Sequence, residues 1–326
     1  MTAPDEEEER AAQRPVPPPS VTLAEVAAAT ATETATGTAT GTATAPGRFL
    51  VERERASLWF EPGSDVLFVT FDNLATIDEG WPRGPWLLSR LADEGYSVLG
   101  VQSRAKDWYR NADAAPLLAG LVATGFFSRF SRVILTGASM GGFAALNFAP
   151  LVPGARVLAF SAQSTMNKVI APFEQRFPFA VRKSNWEGQP FLDAAAAIPY
   201  IPSVTLAFDP FVPEDRAHAA RMAGPNVTML RLDHATHEAV RVVMKSGALS
   251  PLLTAMATSG GLEPFWTAYR GRRTVSKWQR AITTAMAPRH PRLTIGATGV
   301  MLADADLTFA RQARRAARAR LAGGAA

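Results

Sequence analysis

Between residues 48 and 258 short apolar runs alternate with longer stretches in which apolar positions recur at helical spacing. Val66-Leu67-Phe68-Val69-Thr70-Phe71 is continuously apolar, the pattern of a strand covered on both faces. Runs at 96–101, from Val133 into Gly137, 156–160, 204–208 and 227–232 read the same way. Helices are expected over 85–93, 114–127, after Gly141, from about Glu214, from about Glu238 and over 249–258. Ahead of them, 49–51 and 58–60 predict a hairpin closed near Glu61-Pro62-Gly63. Apolar strands separated by helices demand crossover connections, so the prediction is a three-layer α/β sandwich around a mostly parallel sheet. The rhythm breaks at 162–200, which is irregular and rich in Phe173, Phe177, Phe179, Trp186 and Phe191. An insertion following a strand in such a sheet lies over its ligand-binding end, so 162–200 is expected to form a small cap.

The flanks differ from this centre. Residues 1–47 combine an acidic run with Pro15 to Pro19 and an Ala/Thr/Gly repeat. Few large apolar side chains are present to offset the entropy of ordering, so a disordered tail is expected, with a short helix possible only around 21–29. Residues 262–326 read as a basic, partly helical C-terminal extension, leaving 48–261 as the main domain. Seven acidic and two basic residues give the first 47 positions a charge of −5, and three acidic and twelve basic residues give 262–326 a charge of +9. The overall +5 therefore belongs to the tail. Arg311, Arg314, Arg315, Arg318 and Arg320 would form a surface able to attract an acidic partner, and nothing in the centre requires nucleic acid.

Composition narrows the chemistry. The 326 residues are 47% hydrophobic and 19% charged, with no cysteine. Disulfides, thiolate metal sites and a cysteine nucleophile are excluded. The N-terminus lacks a basic segment followed by an apolar one, so no secretory signal and a cytoplasmic setting are expected. Residues 133–154 carry no charge, but their glycines and prolines argue for strand, turn and helix rather than a membrane span.

Gly137-Ala138-Ser139-Met140-Gly141 stands between the apolar run from Val133 and an alanine-rich segment. A sharp strand-to-helix turn would project the Ser139 hydroxyl outward, and only small neighbours let strand and helix approach. In this the sequence resembles the α/β-hydrolase superfamily at its nucleophile elbow, over roughly residues 48–258. A serine needs a base, and the base needs an orienting acid. Of four histidines, His218 reads as helix packing or surface and His290 lies in the basic tail. His234 and His237 both follow the last strand, where the superfamily places its histidine, and His237 is preferred because it directly precedes a helix. The resemblance points to Asp209, in Asp209-Pro210-Phe211-Val212-Pro213, as the acid, with Asp215 and Asp233 as alternatives. It also implies an oxyanion hole formed by the backbone N–H of Met140 and of a residue after the 66–71 strand, Asn73 with Leu74 as neighbour. The superfamily's frequent His-Gly pair is absent there, and Phe71-Asp72-Asn73 stands instead. The implied activity is hydrolysis of a small-molecule ester or thioester through an acyl-serine, with no metal or organic cofactor. An acyltransferase on the same fold, or a non-catalytic binding protein using its basic tail, would share most of these features.

Overall fold

The computed structural model describes residues 16–35, 47–188 and 190–323. An N-terminal helix α1 (Leu23–Ala35) precedes β1 (Phe49–Glu52), β2 (Ala56–Glu61) and β3 (Val66–Phe71). Next come α2 (Leu74–Asp78), α3 (Leu88–Asp93), β4 (Ser97–Ser103) and α4 (Ala114–Ala123). The centre is β5 (Arg132–Ala138), α5 (Met140–Phe148) and β6 (Arg156–Phe160). Among the described residues the α-helices of the 162–200 insertion are the short α6 (Pro178–Lys183) and α7 (Ala194–Ala197), with a 3-10 turn at Ile198–Tyr200. It leads to β7 (Val204–Phe208), α8 (Pro213–Arg221), β8 (Val227–Arg231), α9 (Ala239–Lys245) and α10 (Leu249–Thr258). Four helices close the chain, α11 (Glu263–Tyr269), α12 (Ser276–Met286), α13 (Pro291–Asp304) and α14 (Thr308–Gly323).

Among the described residues all eight strands form one sheet in the order β1-β2-β4-β3-β5-β6-β7-β8. β1 with β2 and β2 with β4 are antiparallel, and every other pair is parallel. Successive side chains of a strand point to opposite faces, and the continuous apolar runs supply both. In β3, Leu67, Val69 and Phe71 pack with α4 and α5 on one face, while Phe68 joins α3, α9 and α10 on the other. The first hairpin turns at 53–55, where the Arg53 N–H donates to Ala56 O (2.9 Å), rather than at Glu61-Pro62-Gly63. Three consecutive charged residues make 53–55 the solvated turn, and Pro62-Gly63 instead carries the chain into β3.

Both flanks engage this core. Residues 16–35 are ordered: the Val21 N–H donates to Leu50 O (2.7 Å), and Val26 is buried among α4 side chains. Leu23 packs so closely on α4 that a Cβ at Gly120 would lie 2.6 Å from its Cδ1. Val21, Leu23 and Val26 thus anchor to the core a segment whose average composition is that of a disordered tail. The rest of the expected disordered tail, 1–15 and 36–46, lies outside the described residues. Phe265 and Tyr269 of α11 are buried in the second face of the sheet, so the extension begins inside the core. α12 braces the segment after β8, with Trp278 Nε1 donating to Asp233 O (2.9 Å) and Lys277 paired with Glu238. On α14, Arg315, Arg318 and Arg320 are exposed. Among the described residues no helix is long and apolar enough to cross a membrane.

Candidate active site

β5 ends at Ala138 and α5 begins at Met140, leaving Ser139 to make the whole turn. Its φ of 53° and ψ of −115° are a conformation that L side chains rarely adopt, the strain expected of a serine lifted out of a strand-to-helix corner. The Ser139 N–H donates to Phe160 O (2.8 Å) and its carbonyl accepts from the Phe143 N–H (3.0 Å). Two glycines make the corner possible. A Cβ at Gly137 would stand 2.3 Å from the Gly141 carbonyl, and one at Gly141 would stand 2.6 Å from Phe71 O. The same close approach sets the turn after β3 beside the first turn of α5.

The segment after β8 carries His237 back to this corner. His237 Nε2 lies 3.0 Å from Ser139 Oγ, and Nδ1 lies 2.9 Å from both carboxylate oxygens of Asp215. A carboxylate only accepts, so the ring proton sits on Nδ1 and the Nε2 lone pair faces the hydroxyl. A serine at this turn, a histidine after the last strand and a mostly parallel eight-stranded sheet between helical layers decide the architecture. The fold is that of an α/β-hydrolase.

Within this hydrolase fold the carboxylate at the imidazole is Asp215, and Asp209, the residue preferred from the sequence, does something else. Asp209 Oδ1 accepts the N–H groups of Phe211 (2.9 Å) and His234 (3.1 Å), and Oδ2 accepts that of Thr236 (2.7 Å). His234 and Thr236 have φ of 63° and 65°, so Asp209 restrains a strained segment that aims His237. Pro213 opens α8 and puts Asp215 in its first turn, where the sequence alone reads it as a helix-start acid. The His234 ring stacks on Phe211 at 4.2 Å, and the imidazole at Ser139 Oγ is that of His237. His290 precedes α13, far along the chain in the extension.

The two expected oxyanion donors fare differently. Met140 is the first residue of α5, so its N–H has no intrahelical acceptor and remains beside the serine. The Asn73 N–H instead donates to Thr76 Oγ1 (2.9 Å), while Asn73 Oδ1 accepts from Ala75 and Thr76, closing a capping box on α2. Asn73 followed three residues on by Thr76 was the legible signal for that cap. Its neighbour Leu74 is the first residue of α2.

Residues 162–200 contribute side chains that sequence reasoning missed. Gln163, fully buried, points its side-chain amide at Ser139 Oγ, with Nε2 at 3.0 Å. Arg176 Nη1 donates to Asp215 Oδ1 (2.8 Å) and stands 3.2 Å from His237 Nδ1, while Nη2 pairs with Glu174 Oε2 at 2.5 Å. Glu174 Oε2 also lies 3.1 Å from His218 Nε2. The Ser164 N–H donates to His218 Nδ1 (3.0 Å), which places the His218 proton on Nε2, toward Glu174. His218 is thus fully buried within the network rather than exposed. Among the described residues no group of three or more His, Asp or Glu could hold a metal ion.

Burial pushes His218 below the ordinary histidine pKa, against its hydrogen bond to Glu174. Burial would raise Glu174, but hydrogen bonds from His218 and Arg176 outweigh it and hold the carboxyl at about 2. Both folded pKa values lie below their unfolded ones, so stability falls as pH drops: through about 6.5 the unfolded chain takes up the proton His218 refuses, and below about 4.5 the one Glu174 refuses. Because the other titrating groups are common to both proteins, urea midpoints of wild type are expected to lose more than those of His218→Gln as the pH falls from 7 to 5. Equal slopes for the two proteins would contradict this reading.

No protein-family model and no curated protein matches the chain. Solved structures resemble it at low identity. Capsule O-acetyltransferase of Neisseria meningitidis serogroup A shares 10% identity with a TM-score of 0.42, over 63% of this chain and 93% of that one. Carboxyl esterase 2 of Tuber melanosporum shares 13% with a TM-score of 0.42, over 73% and 89%. An esterase of Pyrococcus furiosus shares 16% with a TM-score of 0.38, over 62% and 85%.

Proposed function

We propose that the protein is a serine enzyme acting on acyl esters or thioesters. The observation that carries this reading is the uninterrupted run from Ser139 Oγ through His237 to the Asp215 carboxylate, each step within 3.0 Å. Ser139 Oγ attacks the acyl carbon while its proton passes to His237 Nε2, and the carbonyl electron pair moves onto oxygen. The tetrahedral adduct collapses, the bond to the leaving oxygen or sulfur breaks, and His237 returns the proton to that atom. A second nucleophile, water or an acceptor hydroxyl, gives its proton to His237 and adds to the acyl carbon; as the bond from that carbon to Ser139 breaks, His237 returns the proton to Oγ. Asp215 holds the imidazole tautomer throughout and offsets the charge of the imidazolium. The aromatic residues of 162–200, with Phe177 at 5.9 Å from the His237 ring, support an apolar acyl site under that segment.

Incubation with a fluorophosphonate probe and with short-chain nitrophenyl esters tests the proposal. Covalent labelling and turnover are expected, both lost in Ser139→Ala. A properly folded wild-type protein that the probe never labels would overturn it. Product analysis with added hydroxyl acceptors distinguishes release of free acid from transfer.

A further inference from the structure

The amide of Gln163 is oriented by a neighbour that can only donate. Trp108 Nε1 lies 3.2 Å from one side-chain atom of Gln163, and an indole N–H has no lone pair to offer, so that atom is the carbonyl oxygen Oε1. The other atom, 3.0 Å from Ser139 Oγ, is then the –NH2 nitrogen. Oγ accepts this N–H and directs its own hydrogen to His237. Gln163 and Trp108 are both fully inaccessible to solvent, and their backbones are bent to meet: Trp108 has φ of 53°, and Ser161, which starts the turn leading from β6 to Gln163, has φ of 44°. A buried amide held over the nucleophile by two strained segments is more than packing requires. The amide of Asn73, the expected second oxyanion donor, is meanwhile engaged with Thr76.

We propose that Gln163 is a catalytic residue whose Nε2–H stabilises the oxyanion, supplementing the Met140 N–H. The inference rests on the acyl-serine reading. When Oγ bonds to the acyl carbon, the Oγ proton goes to His237 Nε2 and the carbonyl π pair goes to the carbonyl oxygen, which shares that carbon with Oγ. The lone pair that Gln163 had engaged becomes less basic as the new bond forms, and the N–H shifts its hydrogen bond to the newly anionic oxygen on the same carbon. Gln163 loses no proton and forms no covalent bond. When the adduct collapses, the pair returns to the carbonyl and the N–H returns to Oγ.

Gln163→Leu and Gln163→Glu test this alongside Trp108→Phe. Glutamate keeps the shape and an acceptor for Trp108 while replacing the donor with a carboxylate, so it reports even if the leucine variant folds poorly. For Gln163→Leu, kcat on a nitrophenyl ester and the fluorophosphonate labelling rate are each expected to fall about 10²–10³-fold, with KM within threefold of wild type. Gln163→Glu should lose at least as much, and Trp108→Phe about tenfold, since the amide is then free to flip. A structural role alone would lower thermal stability without this split between kcat and KM. If wild type is labelled at Ser139 while a folded Gln163→Glu keeps kcat within threefold, or changes only KM, this inference is wrong and the acyl-serine reading stands. If wild type is not labelled, both fall.

Discussion

Asparagine in place of Asp215 is expected to lower kcat about 10⁴-fold while the protein stays folded. The Asp215 carboxylate accepts a hydrogen bond from His237 Nδ1–H at 2.9 Å, which keeps the proton on Nδ1 and leaves Nε2 free to take a proton from Ser139. An asparagine can turn an N–H toward Nδ1, which moves the ring proton to Nε2 and leaves the imidazole with nothing to accept with. Asp209→Asn should behave differently. There the carboxylate accepts three backbone N–H groups, and the amide loses at least one of those bonds, at a cost of about 1.5–3 kcal/mol in stability. Its kcat should fall far less, through a looser His237 segment. Kinetics normalised to the labelled fraction, together with thermal unfolding, separate the two variants. A near wild-type kcat in Asp215→Asn, with the large loss in Asp209→Asn, would return the acid to the position preferred from the sequence.

The second large effect concerns the turn after β3. Asp72 and Arg83 form an ion pair at 2.6 Å with both side chains buried, and Arg83 also donates to Ser103 O and Gly80 O. The pair ties the end of β3, and with it the start of α2, to the end of β4. Arg83→Met should destabilise the fold by about 3–5 kcal/mol, because it abandons a carboxylate in the interior. Burial already raises the Asp72 pKa, and Arg83 is the chief opposing influence. Without the guanidinium that pKa rises further above its unfolded value, so the lost stability should be largest at neutral pH and shrink as the pH falls toward the ordinary carboxylate range. Asp72→Asn in the same chain should recover much of the loss. Denaturant titrations at pH 7 and pH 5 check this, and a single variant as stable as wild type at both would refute the clamp.

Local sequence carried much of the sheet. The runs at 66–71, 156–160 and 204–208 became strands with those bounds, because a stretch apolar at every position is stable only where both faces are covered. The serine turn was equally legible, since three requirements (a β-branched strand, glycines at 137 and 141, and an alanine-rich helix) fall within a dozen residues. The ordering of 16–35 was not legible, because Leu23 and Val26 gain their stability from a groove on α4 formed by residues nearly a hundred positions later.

By itself, then, the sequence determined that a parallel α/β sheet would present Ser139 at a strained corner and return a histidine to it after the last strand. These are properties of short segments, fixed by local sterics and by side-chain periodicity. Only the tertiary structure decided which carboxylate meets His237, that the Asn73 amide closes its own turn, and that Gln163, Arg176 and Glu174 surround the site. Asp209 and Asp215 are six positions apart on one connection, and choosing between them depends on how Pro213 turns that connection into α8. Hydrogen bonding discriminates over less than an ångström, and that distance is set by the packing of the whole domain.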